Sequence, residues 1–180
     1  MGKREGIQIV VVVEDQRLER FVRRALHAFG FDRNKVRVLQ DYPKRGSGSG
    51  KQYVEETYKK EIVTFRRKSR ENRALLLGTE ADEQTVMART QSLDAFISPP
   101  RDAQERILYW IPKWHVETWG LHLTGTTVDE DTNYHRQGGN IDWKLAGETF
   151  KAEYDRSKRE PVETLDSLKT AYIETQRLGQ

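Results

Sequence analysis

Acidic residues recur at three places where a short apolar run gives way to polar chain. Glu14 and Asp15 follow the first run, Glu80 and Asp82 the third, and Lys113, His115 and Glu117 the fourth. Carboxylates gathered this way could hold a hard cation, because Mg²⁺ prefers oxygen ligands and keeps several of its waters. Such a cation can activate water and neutralise a phosphodiester during displacement. Glu80 and Asp82 are one residue apart, so two carboxylates can flank one point as the chain turns; Glu14 from a neighbouring segment would make a third. Each acid alone has a simpler use as a helix cap or first-turn residue, and Asp15 fits that role best. Three acids together at one edge would repel unless something binds them. We therefore expect Glu14, Glu80 and Asp82 to be metal ligands, with Mg²⁺ or Mn²⁺ as the ion. Lys113 is the candidate contact to a scissile phosphate and Glu117 an accessory acid.

The elements that must position these residues are readable. Ile7–Val13 is β-branched and apolar, as expected of a strand buried on both faces of a parallel sheet. Asp15–Phe29 carries apolar residues at helical spacing and stops at Gly30. Further strands are expected at Val36–Leu39, Ala74–Leu77 and Ile107–Ile111. Helices are expected at Gln52–Lys68, Glu83–Phe96 and His115–Leu123. A polar loop, 124–139, precedes two more helices, Trp143–Arg156 and Glu163–Leu178. Strand and helix alternate four times, which predicts an α/β fold, a mainly parallel sheet with right-handed crossovers and a helical C-terminal extension. Sites in such sheets form beyond the carboxyl ends of the strands, where the acids are. We divide the chain into a catalytic domain, 1–124, and a loop with C-terminal helices, 125–180, packed on it.

Composition narrows the chemistry. The 180 residues contain no cysteine, which excludes disulfides, thiolate zinc sites and a cysteine nucleophile. The four histidines show no convincing metal spacing, so zinc is not expected. Net charge is +3, a mild excess that permits a nucleic-acid partner. No apolar stretch reaches ~18 residues and no signal peptide is evident, so a soluble, cytoplasmic protein is expected, without membrane contact. The segment GSGSGK, Gly46–Lys51, falls one residue short of a phosphate-binding Walker loop and has Gln52 where Ser or Thr is needed. ATP binding by this chain is not expected. Lys44, Arg45 and Lys51 could still touch a nucleic-acid backbone. Arginines 17, 20, 23 and 24, and the basic run 66–73, would offset phosphate repulsion if both flank the acidic rim.

The motifs IVVVVED (Ile9–Asp15) and LLLGTEAD (Leu75–Asp82) resemble the Toprim fold of topoisomerases, primases and OLD-type nucleases. In that family a Glu ends the first strand and an Asp-x-Asp follows a later one. GSGSGKQYV (Gly46–Val54) and IPKWHVETW (Ile111–Trp119) are similar to segments of small stand-alone Toprim-like proteins of bacterial anti-phage loci. The resemblance covers Ile7–Leu123. It implies a Mg²⁺-dependent nuclease or nicking subunit acting on nucleic acid, DNA first, beside a separately encoded ATPase; a homo-oligomer is also allowed. Two residues depart from the pattern: Glu80 replaces the first Asp, and Asp15 stands where many members have glycine. Two rival readings remain. One is a non-catalytic assembly subunit on the same scaffold. The other is a receiver-like signalling domain with Asp82 as phosphoacceptor.

Overall fold

The structure, a computed structural model, describes residues 6–43 and 49–179. Four strands, β1 (Gln8–Val13), β2 (Val36–Leu39), β3 (Arg73–Gly78) and β4 (Ile107–Trp110), form one parallel sheet in the order β2-β1-β3-β4. Six helices surround it: α1 (Gln16–Ala28), α2 (Gly50–Arg67), α3 (Val86–Ala95), α4 (Val116–Leu123), α5 (Trp143–Ser157) and α6 (Asp166–Thr175). The expected α/β architecture, Rossmann-like with a C-terminal helical extension, is present.

The all-apolar strands follow from burial on both faces. Ile9, Val11 and Val13 of β1 point into one core with Leu76 of β3 and Trp110 of β4, covered by α1, α4, α5 and α6. Val12, Leu75, Leu77, Ile107 and Tyr109 point the other way, against Val54, Tyr58 and Ile62 of α2 and Leu93 of α3. The first core centres on Phe150 of α5. Its ring meets Phe21 of α1 edge-on (centroids 5.4 Å apart), Trp110 of β4 (4.9 Å), Trp119 of α4 (6.4 Å) and Tyr172 of α6 (5.0 Å). One side chain from the extension thus joins four other elements.

Register decides where the acids emerge. Val13 pairs with Gly78, and Gly78 with Trp110, so three strands end level. The residues that follow them, Glu14, Thr79 and Ile111, leave from the same edge. The chain order reverses between β1 and β3, the switch point at which ligands bind in open α/β sheets. The basic run 66–73 leads into the start of β3, so it lies at the opposite, amino edge and does not flank the acidic rim. Among the described residues, no helix is long and apolar enough to cross a membrane.

Candidate metal centre at the carboxyl edge

Glu80, Asp82 and His115 can each offer one ligand atom, all within 4.8 Å of one another. Glu80 leaves the end of β3 and His115 precedes α4. The Glu80 carboxylate sits on the first turn of α4: Oε1 accepts from the Val116 amide (3.0 Å) and Oε2 meets His115 Nδ1 (2.7 Å). It thereby satisfies an orphan donor of α4, whose N-cap residue His115 makes no side-chain cap of its own. Burial pushes the Glu80 carboxyl pKa up, against the pull of His115. By accepting a hydrogen bond from the imidazole, Glu80 raises the His115 pKa in turn.

Asp82 sits in the left-handed region, φ 52°, the one non-glycine residue there among those described. Aspartate tolerates this conformation better than most side chains, but strain of order 1 kcal/mol remains, and such outliers concentrate at functional sites. The bend aims Asp82 back at the group and at Lys51, whose Nζ lies 2.5 Å from Oδ2. Lys51 belongs to the first turn of α2, so this helix too begins at the rim. Its first residue, Gly50, is pressed against β1: a Cβ there would come within 2.6 Å of the Glu14 carbonyl oxygen. Residues 44–48, including Lys44, Arg45 and most of the expected glycine loop, lie outside the described residues.

Glu14 stands beside the ligand group rather than in it. Thr79 Oγ1 donates to Glu14 Oε2 (2.7 Å) and accepts from the buried Arg89 guanidinium (3.1 Å), which also pairs with Glu55 (2.5 Å). Burial first, and the charge of Glu80 second, push the Glu14 carboxyl from an ordinary 4.5 up to about 8. At neutral pH it is mostly a protonated acid, a hydrogen-bonding group where the sequence suggested a charged ligand. Asp15 is the helix cap expected of it, accepting from the amides of Arg17 (2.9 Å) and Leu18 (2.8 Å).

The two remaining candidates are tied elsewhere. Glu117, only 1% exposed, forms an ion pair with Arg17. Arg17 in turn donates to the His135 carbonyl (2.8 Å). Gly138 closes over this pair, and a Cβ there would stand 3.0 Å from the Glu117 side chain, a tight contact. Glu117 therefore anchors the 135–140 turn to α1 and α4. Lys113 Nζ lies 3.8 Å from Asp131, whose side chain is almost fully exposed, so this pair is weak. Next to His115, a pocket of about 430 Å³ opens between it and Asn133, His135, Arg136 and Gln137.

The structure thus brings the expected ligands Glu80 and Asp82 together and sets the third, Glu14, beside them; His115, expected at this edge but not as a ligand, takes its place, and the Thr79 and Lys51 contacts were not expected. Only the position of His115 just past the fourth strand pointed to it; Glu80 lies 35 residues away. Comparisons with protein-family models, with curated proteins and with solved structures find no match to this chain.

Proposed function

We propose that this chain is a divalent-cation-dependent phosphodiesterase acting on nucleic acid, DNA first. One observation carries the reading: two carboxylates and an imidazole within 4.8 Å at the carboxyl edge of a parallel sheet, beside a pocket with room for substrate. The imidazole changes the expected ion. Carboxylates alone suit Mg²⁺, but a mixed oxygen and nitrogen set favours Mn²⁺ or another first-row cation. Glu80, Asp82 and His115 would hold it. A bound cation supplies Lewis-acid polarisation of a phosphodiester oxygen and a lowered water pKa. The protonated Glu14 is placed to hydrogen-bond, or to pass a proton, at the edge of the group. Lys113, weakly held by Asp131, is available to an incoming phosphate, and Arg136 lines the adjoining pocket. Glu117 keeps Arg17 and His135 in place and acts by positioning. The resemblance drawn from the motifs adds a bacterial anti-phage setting, a separately encoded ATPase partner and the option of a homo-oligomer, all as parts of this proposal.

A second reading, a non-catalytic assembly subunit, has its own support. Every acid at the rim already has an internal partner: Glu14 has Thr79, Glu80 has His115 and Val116, and Asp82 has Lys51. The receiver-like reading needs a lysine from the end of a late strand at the phosphoacceptor; Lys113, after β4, pairs with Asp131 instead, and the lysine on Asp82 is Lys51, from the first turn of α2.

The test is calorimetric titration with Mn²⁺ and Mg²⁺, followed by cleavage of plasmid and single-stranded substrates, comparing wild type with Asp82→Ala and His115→Ala. Binding and cutting that both variants lose support the phosphodiesterase. Absence of cation binding by the wild type refutes it. Binding without cutting, even with the partner present, selects the assembly subunit.

A further inference from the structure

Among the described residues, two arginine-rich surfaces stand out, and they differ in one respect. At the amino edge of β3 and β4, acids stand among the basic residues: Arg66 pairs with Glu105 (2.7 Å), and Lys68 and Arg73 both pair with Glu71, while Arg67 and Arg70 form no ion pair among the described residues. Between α1 and the outer strand β2, a second pocket is lined by Arg20, Arg23, Arg24, His27 and Arg33 over buried Phe31, and no acid lines it. Arg23 shares Glu19 with Gln40 and Tyr42. Among the described residues, Arg20, Arg24 and Arg33 have no acidic side chain within ion-pair distance. Clustered cations without counter-charges repel one another, which leaves the surface disposed to take up an anion.

From this we infer that the α1–β2 pocket binds the phosphodiester backbone of a nucleic acid. Arg20, Arg24 and His27 stand at i, i+4 and i+7 on one face of α1. At 1.5 Å per residue they span about 10 Å, more than one phosphate group. Arg17, one turn earlier on the same side of the helix, reaches the Glu117–His135 cluster beside the candidate metal centre. The arginine face thus runs along the helix towards the carboxyl edge, as a track would. The pocket holds about 280 Å³, at the small end for an enclosed small-molecule site, which suits surface contact with a chain. Four of its cations are arginine, which forks onto phosphate oxygens better than lysine does. An anionic membrane would be gripped by apolar residues around the charges. The large exposed apolar residues, Val63, Met87, Leu145 and Ile173, lie on other elements. The inference deepens the phosphodiesterase reading, since a strand held here would be its substrate. The contact itself needs no cation.

Fluorescence anisotropy with labelled single-stranded and duplex oligonucleotides tests it, in EDTA so that failure of the metal reading leaves the result intact. The variant is Arg20→Ala/Arg24→Ala/Arg33→Ala, all surface positions, with its fold checked by circular dichroism. Arg67→Ala/Arg70→Ala at the opposite edge is the control. We expect the triple variant to bind at least tenfold more weakly at low salt, with its log–log salt slope reduced by about 2 for single strands, at ~0.7 per lost phosphate contact. The control pair should bind as wild type does. Arg20→Lys/Arg24→Lys/Arg33→Lys should keep most of the salt slope. Equal affinity and slope in wild type and the triple alanine variant overturn the inference. So does failure of the wild type to bind any oligonucleotide, whether or not it binds phosphatidylserine vesicles or inorganic phosphate.

Discussion

Replacing Glu14 by Gln separates a protonated carboxyl from a charged ligand. Its pKa lies near 8 in the folded chain against an ordinary 4.5, so between these values the folded state holds a proton that the unfolded state has lost. Stability then falls as pH rises, because the slope of unfolding free energy follows protons bound in the unfolded state minus those bound in the folded one. The loss is ~1.4 kcal/mol per pH unit, or roughly 3 kcal/mol between 4.5 and pH 7. Partial exposure of the side chain and its mutual influence with Glu80 reduce this to about 2 kcal/mol. Gln has the same shape, can accept the Thr79 hydrogen bond and does not ionise. Glu14→Gln should therefore match wild type at pH 4.5, gain about 2 kcal/mol on it at pH 7, and stop gaining above pH 8. Urea unfolding in EDTA, followed by tryptophan fluorescence across that range, measures the difference; Glu80 is present in both proteins and largely cancels. A difference that stays flat, or turns against Gln as pH rises, would show Glu14 to be ionised in the folded state, and the assignment of a neutral acid would be wrong.

Other outcomes follow from the same edge. Asp82→Gly relieves the positive φ and should unfold within about 1 kcal/mol of wild type, whereas Asp82→Ala keeps the strain and should lose about 1 kcal/mol; titration with Mn²⁺ should show both at least tenfold weaker. Gly50→Ala pushes a methyl against the Glu14 backbone and should cost about 1–3 kcal/mol in urea unfolding. Arg17→Met strands the buried Glu117 carboxylate and should destabilise by about 2–3 kcal/mol; adding Glu117→Gln should recover part of that, a coupling that a double-mutant cycle reads directly.

The strands were legible because a sheet covered on both faces must be apolar throughout, and IQIVVVV and ILYW can be little else. The carboxyl edge followed, since parallel strands of similar length all end there. Helix starts were harder. Glu83 reads as a helical residue, but the left-handed Asp82 holds the chain in a turn, and α3 begins only after Thr85, whose hydroxyl caps the Ala88 amide (3.0 Å). Ser49 caps α2 in the same way, hidden at the end of a glycine–serine run. Pairings across the fold left no local mark. His115 on Glu80, Arg17 on Glu117 and Lys51 on Asp82 join residues far apart in the chain, and each acid looked equally free in the sequence. Which acids are neutralised, which are ionised and which are buried depends on these pairings, and so on tertiary structure.

Phe150 has a consequence for the order in which the molecule can form. The α1-side face of the sheet presents Phe21, Trp110 and Trp119, and the ring that fills the space between them arrives only with α5. During synthesis every strand is complete before that residue is made. For that interval the nascent chain carries a finished sheet with one oily face unsealed, the kind of surface that recruits chaperones or sticks to its neighbours. A chain cut at Leu123 would stay in that condition, and ANS fluorescence and light scattering should report it as sticky and loosely packed, with its helices largely retained.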